Sequence, residues 1–161
     1  MIILRIIHIL SATFWVGTTL FIVFFLEPTI RALGPDGGKF MQRLIGGTHF
    51  SLAMAVSSWL TVGAGVLMYG PVTGWSWPIV FGPRLALTLG AVAGIAAGVV
   101  GTAVNGRASG RLQKLGKAIA AQGKPPSPAQ AAEMKQLQTT IRQGSWLGAS
   151  LMVLAILGMT W

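Results

Sequence analysis

The stretch Ile2–Leu26, IILRIIHILSATFWVGTTLFIVFFL, decides how the rest of the chain is read. A helix needs about 20 predominantly apolar residues to cross a hydrocarbon core of about 30 Å. This stretch supplies them with one charge, Arg5, close to its start. Three further apolar segments follow at about 44–69, 79–104 and 144–161. The last is short alone and extends backwards through 128–143. The expectation is an all-α fold, an integral membrane four-helix bundle forming one domain over 1–161. Composition agrees: 53% of residues are hydrophobic and 9% charged, whereas soluble domains carry about a quarter charged. The first residues lack the basic region of a signal peptide, and their apolar run is long enough to span.

The net charge of +9 would suggest nucleic acid in a soluble chain. Here its distribution sets topology instead, and no nucleic-acid partner is expected. Arg31, Lys39 and Arg43 lie between the first two spans. Arg107, Arg111, Lys114, Lys117, Lys124, Lys135 and Arg142 lie between the last two, so ten of the 12 basic residues share one side. Connections rich in Lys and Arg stay in the cytoplasm. The expected location is the inner (cytoplasmic) cell membrane, with both termini outside and the lipid bilayer as principal partner. Tryptophans Trp75 and Trp77 in the second connection suit the outer interface.

The third connection, about 105–143, carries its own helical signals. Leu112, Leu115 and Ile119 recur at helical spacing among Arg111, Lys114 and Lys117. Lys124-Pro125-Pro126 stops that helix. Ser127-Pro128-Ala129-Gln130 opens another, with serine as N-cap, proline at the first position and glutamine three residues after the cap. The expectation is a basic cytoplasmic helical hairpin between helices 3 and 4. It reads as a solvated connector, with contact to anionic headgroups or a partner as the second reading.

Ala86, Gly90, Gly94, Gly98, Thr102, Gly106 and Gly110 recur every four residues. Small residues at this spacing let two helix backbones approach closely. The stripe serves packing within the bundle or, through Gly90, Gly94 and Gly98, a homo-oligomer seam.

Chemistry concentrates on the only two histidines, His8 and His49. An ionisable residue inside a bilayer marks a functional site by default, and histidine is the commonest metal ligand. On a helix, His8 shares a face with Ser11, Ala12, Trp15, Thr18 and Thr19. That face is small and polar apart from Trp15, and suits an inserted planar group with His8 as axial ligand. The expected topology puts His8 and His49 in opposite halves of the membrane, about 18 Å apart at 1.5 Å per residue. Two axial nitrogens on one iron must lie about 4 Å apart, so the two histidines do not share a heme. His49 reads as interfacial, or as a ligand of a second, inner site with Met41 or Met54. A second axial ligand for a heme on His8 would come from Met68, Met152 or Met159.

His8, six residues, then Trp15-Val16-Gly17 resembles the first helix of the copper-resistance D (CopD-like) membrane family. It is also similar to the related HemJ-type protoporphyrinogen oxidases. Pro28 at the end of that helix fits, and Arg84-Leu85 in Phe81-Gly82-Pro83-Arg84-Leu85 resembles the lysine–leucine pair of HemJ-like chains. The glycine two residues after Trp15 follows the CopD-like pattern; HemJ-like chains place it three after. The resemblance covers the four-span layout and these two motifs. The HemJ-like resemblance implies b-type heme on the first-helix histidine.

The expected site is therefore His8 as axial heme ligand, Arg5 and Arg84 as clamps for propionates or substrate, and Trp15 as a pocket wall. Arginine suits carboxylates through its bidentate fork. The function expected is redox or electron transfer at the outer half of the bundle with an electron-transfer partner, and any enzyme would be a membrane oxidoreductase. Alternatives are a CopD-type protein handling copper through His and Met, and a non-catalytic structural subunit of a membrane complex. The chain has no cysteine, which removes disulfides, thiolate metal sites and iron–sulfur clusters. Its acids are Glu27, Asp36 and Glu133, none of them mid-span, which disfavours proton-coupled transport. Glu27 and Arg31 fit a helical i, i+4 pair.

Overall fold

The structure, a computed structural model, describes residues 1–160. Trp161, placed by the sequence in the fourth span, lies outside the described residues. These are 89% helical, with no strand. Among the described residues six helices follow one another: α1 (Ile2–Ala32), α2 (Pro35–Gly47), α3 (Phe50–Thr73), the single turn α4 (Trp77–Val80), α5 (Leu85–Gln122) and α6 (Pro128–Met159). Four of them, α1, α3, α5 and α6, are long and apolar enough to cross a membrane.

Two expected boundaries move. Residues 44–47 do not begin the second long helix; they finish α2, and the chain breaks at Thr48 and His49. Thr48 turns extended there, and its hydroxyl accepts from the Phe50 N–H at 3.1 Å. The third long helix starts at Leu85 rather than about 79, because a proline-led turn at Trp77–Val80 comes first. Two junctions early in the chain use left-handed backbone, as does Gly123 later on. Gly34 (φ +56°) separates α1 from α2, and Gly74 (φ +59°) with Trp75 (φ +53°) ends α3. Glycine takes this conformation without the Cβ penalty that Trp75 bears.

Helix α1 runs through Pro28, which lacks an N–H and crowds the carbonyl four residues back. A π-helical segment, Ile22–Leu26, lies just before it and adjusts the ladder there. A second π segment, Val100–Gly106, interrupts α5. As the sequence suggests, α5 continues past it through Gln122 and stops at Gly123 (φ +59°). Helix α6 opens with the full capping box. The Ser127 hydroxyl accepts from the Gln130 N–H at 3.3 Å, and the Gln130 side chain accepts from the Ser127 N–H at 2.9 Å.

The long helices pack as antiparallel neighbours. His8 and Ser11 of α1 meet Thr61 of α3, and Tyr69 of α3 meets Thr88 of α5. Asn105 of α5 reaches Ser145 of α6, and Arg142 of α6 reaches Glu27 of α1. The centre is a small cluster of Trp15, Ala97 and Met152, flanked by Met54 and Val62. The perimeter is apolar: Phe14, Phe25, Trp59, Leu67, Ile95 and Leu154 are all exposed. Only 22% of the most apolar window of α1, α3 and α5 is buried, and 28% of that of α6. In water such a surface would be a severe liability; in hydrocarbon it is the ordinary exterior.

The small-residue row of α5 is used inside the chain. A Cβ on Gly90 would lie 2.9 Å from the Ala155 carbonyl, and one on Gly158 would lie 2.7 Å from the Gly90 Cα. Gly94 faces Ala155, and Gly98 faces Val62 and Trp15. At these three positions the row packs against the chain's own helices, the first of the two readings that its spacing allows.

Candidate functional site

His8 lies on the face of α1 that the sequence singled out, and that face turns inward at Ser11 and Trp15, both buried. Its imidazole lies against Gly65 of α3, where a Cβ would come within 3.1 Å of the ring Cε1. The ring's Nδ1 is 2.8 Å from the Thr61 carbonyl oxygen. A carbonyl only accepts, so Nδ1 carries the proton and donates. In the neutral ring the remaining lone pair is then on Nε2, and no hydrogen bond engages Nε2 among the described residues. This is the tautomer that a metal-binding histidine uses when its other nitrogen is held by a backbone carbonyl.

One turn further on, the Thr61 hydroxyl lies 2.9 Å from the Ser11 Oγ and 2.8 Å from the Ser57 carbonyl, with one proton to share between them, and Ser11 donates to the Ile7 carbonyl at 2.6 Å. The hydroxyls of Ser57 and Ser58, buried on α3, donate to the carbonyls of Met54 and Ala55. The buried polar groups of this seam are thus satisfied, as an apolar environment demands.

The other expected site residues distribute as follows. Trp15 is 5% exposed and packs with Ala97 and Met152, so it is a core side chain in this arrangement. Met152 is buried beside it, Met68 is half-buried and Met159 is exposed. Arg5 and Arg84 are exposed, and neither makes an ion pair among the described residues. Arg84 is the residue at the N-terminal boundary of α5. His49 is exposed just before α3 and caps nothing with its side chain. His8 contacts α3 at Thr61 and Gly65, 12 and 16 positions beyond His49, or about 18 Å and more along the helix. The separation expected from topology therefore appears directly in the packing.

Thr61 and Gly65 are not among the residues that the ligand pattern of the sequence singles out. Their signal was present: Ser57, Thr61 and Gly65 recur every four residues and make a small, polar row on α3. At the opposite end of the helices from His8, Glu27 holds Arg31 at 2.5 Å and Arg142 at 3.4 Å. These three residues line a cavity of about 320 Å³ with Val23, Pro28 and Trp146. A second cavity, about 360 Å³, lies between α2 and α5.

The donor chemistry at His8 fits one axial bond to a heme iron: a proton fixed on Nδ1 and an uncommitted Nε2. It does not make a multidentate metal site. Among the described residues no three side chains of His, Asp or Glu converge. Comparison with protein-family models, curated proteins and solved structures finds no match for the chain.

Proposed function

We propose that this chain is a multi-pass inner-membrane protein, a four-helix bundle with both termini outside and a basic helical hairpin in the cytoplasm. We propose further that it holds one b-type heme through His8 and serves redox or electron transfer. Four apolar helices with an apolar perimeter support the membrane reading. The distribution of Lys and Arg supports its orientation. The resemblance of His8, Trp15-Val16-Gly17 and Arg84-Leu85 to CopD-like and HemJ-like chains supports the cofactor. The observation that carries the site is the hydrogen bond from His8 Nδ1 to the Thr61 carbonyl, which leaves Nε2 as the only free donor atom of the ring.

The heme would supply one-electron chemistry when bound. The chain's own residues have simpler tasks. Thr61 fixes the His8 tautomer and ring orientation, and Gly65 lets the ring lie close to the α3 backbone. Arg5 and Arg84, at the helix ends on the His8 side and unpaired, are suited to carboxylates. Trp15 closes the core beneath.

The test is the visible spectrum of the purified protein. Wild type is expected to show a Soret band, and His8→Ala to lose it. A band that survives His8→Ala overturns the ligand assignment. A colourless wild type that retains copper shifts the reading to a CopD-type copper protein. A colourless, metal-free wild type shifts it to a structural subunit.

A further inference from the structure

The cavity between α2 and α5 has the chemistry of an anion site. It is lined by Gln42, Arg43, Gly46 and Gly47 from the last turns of α2, and by Gln113 and Lys117 from α5. The Gln42 amide approaches α5 where there is no side chain, 3.7 Å from where a Cβ on Gly116 would lie. Among the described residues no carboxylate lines this space. The ion pairs of the described residues are Arg31–Glu27, Lys39–Asp36 and Arg142–Glu27, so Arg43 and Lys117 stand without a counter-ion. The cavity at Glu27 differs on this point, because Glu27 already engages both of its arginines.

Two uncompensated cations and two amides around a volume of about 360 Å³ match the oxygens of a phosphate group. The position of the cavity indicates what presents that phosphate. Helix α2 ends at Gly47, and the apolar helix α3 begins at Phe50. The cavity therefore lies between the junction of polar α2 with apolar α3 and the basic stretch of α5 that follows its apolar segment, on the membrane-facing side of which headgroups would lie. We infer that it holds the phosphate of an anionic phospholipid. Basic pockets beside membrane helices recognise headgroups in this way. The inference requires the chain to be in a bilayer but does not require a heme.

The experiment measures phosphatidylglycerol bound to the full chain by native mass spectrometry from detergent micelles. Wild type is compared with Arg43→Gln/Lys117→Gln and with Arg111→Gln/Lys114→Gln, which removes equal charge from positions of α5 outside the cavity; all four residues are exposed. The expected result is an affinity lowered about tenfold or more in the cavity variant and by less than about twofold in the control. Equal losses in both variants would mean that only bulk charge acts, and would overturn the site. Undiminished binding in the cavity variant, or no binding to wild type, would also overturn it. Inorganic phosphate is added alone in a parallel arm. If it displaces the lipid at the lipid's own concentration, the site takes free phosphate and the lipid assignment is overturned. The heme spectrum stands apart from all of these outcomes.

Discussion

The seams α1–α3 and α5–α6 join the same kind of helix in two different ways. At α5–α6 the backbones touch: Gly90 and Gly158 leave no room for a Cβ on either side. At α1–α3 side chains meet: His8 donates to the Thr61 carbonyl and Thr61 donates to Ser11. In hydrocarbon the glycine seam is an economical solution. Around Gly90 and Gly158 it gains dispersion over a close approach with no polar side chain to satisfy; farther along the same helices Asn105 donates to Ser145 at 3.2 Å and keeps a buried Oδ1 without a partner among the described residues. The polar seam brings an imidazole and several hydroxyls into apolar surroundings, and hydrogen bonds between membrane helices return only about 0.6 kcal/mol each on average. A chain that already contains an efficient glycine seam has little structural reason to keep a histidine in the other one. That contrast, more than the histidine alone, marks His8 as the place to look for chemistry.

The largest expected effect breaks the glycine seam. Gly158→Val would drive a branched side chain into the Ala86 carbonyl and the Gly90 backbone, 2.5 Å and 2.7 Å from its Cβ. Neither neighbour is a flexible side chain that can swing aside, so α6 must separate from α5. The expected loss is about 3 kcal/mol, measured by graded SDS unfolding in mixed micelles. Near-wild-type stability would mean that the seam is not formed as described.

A smaller effect should follow at the polar seam from Gly65→Ala. The new Cβ would lie 3.1 Å from the His8 Cε1, tight enough to displace the ring by a few tenths of an ångström. Because the neighbour is a side chain rather than backbone, the expected cost is about 1 kcal/mol. A heme on His8 would respond beyond that cost, with a shifted Soret maximum or a lowered occupancy. A variant with wild-type spectrum and reduced stability would make the His8–Gly65 contact packing alone.

How much of this was legible in the sequence depends on the distance over which each feature is determined. Helix existence, the continuation of α5 beyond the apolar segment and the capping box at Ser127 are local, and local patterns specify them. The start of α3 was misplaced because Leu44 and Ile45 are apolar and continue a hydropathy window. What ends α2 is the hydroxyl geometry of Thr48, which hydropathy does not register. The face around His8 was legible as a face, because helical spacing fixes it. Its partner was not: Thr61 lies 53 positions away from His8, and a single sequence carries no signal for which helix a face meets. The glycine row shows the same limit. Its spacing announced a close approach, and only packing revealed that the approach is to Ala155 and Gly158 of the same chain.

The smallest effect is also the most discriminating. Thr61→Val removes the hydroxyl that donates to Ser11 and leaves the backbone carbonyl that accepts from His8. Valine is close to threonine in shape, and Ser11 keeps its bond to the Ile7 carbonyl. The expected loss of stability is therefore about 0.6 kcal/mol. If the polar seam exists for cohesion, removing this link should be the whole effect, and the His8 environment should not change. If the seam exists to hold His8, the hydroxyl link sets how α1 sits on α3 one turn from the imidazole. A small stability loss would then come with a spectral or occupancy change in the heme. Ser11→Ala, which removes the acceptor instead of the donor, should reproduce the effect of Thr61→Val on the His8 environment, because both changes break the Ser11–Thr61 link; each also removes one bond within its own helix, to the Ile7 and the Ser57 carbonyl respectively. Disagreement between them would show that the Ser11–Thr61 link is not what couples the seam to His8.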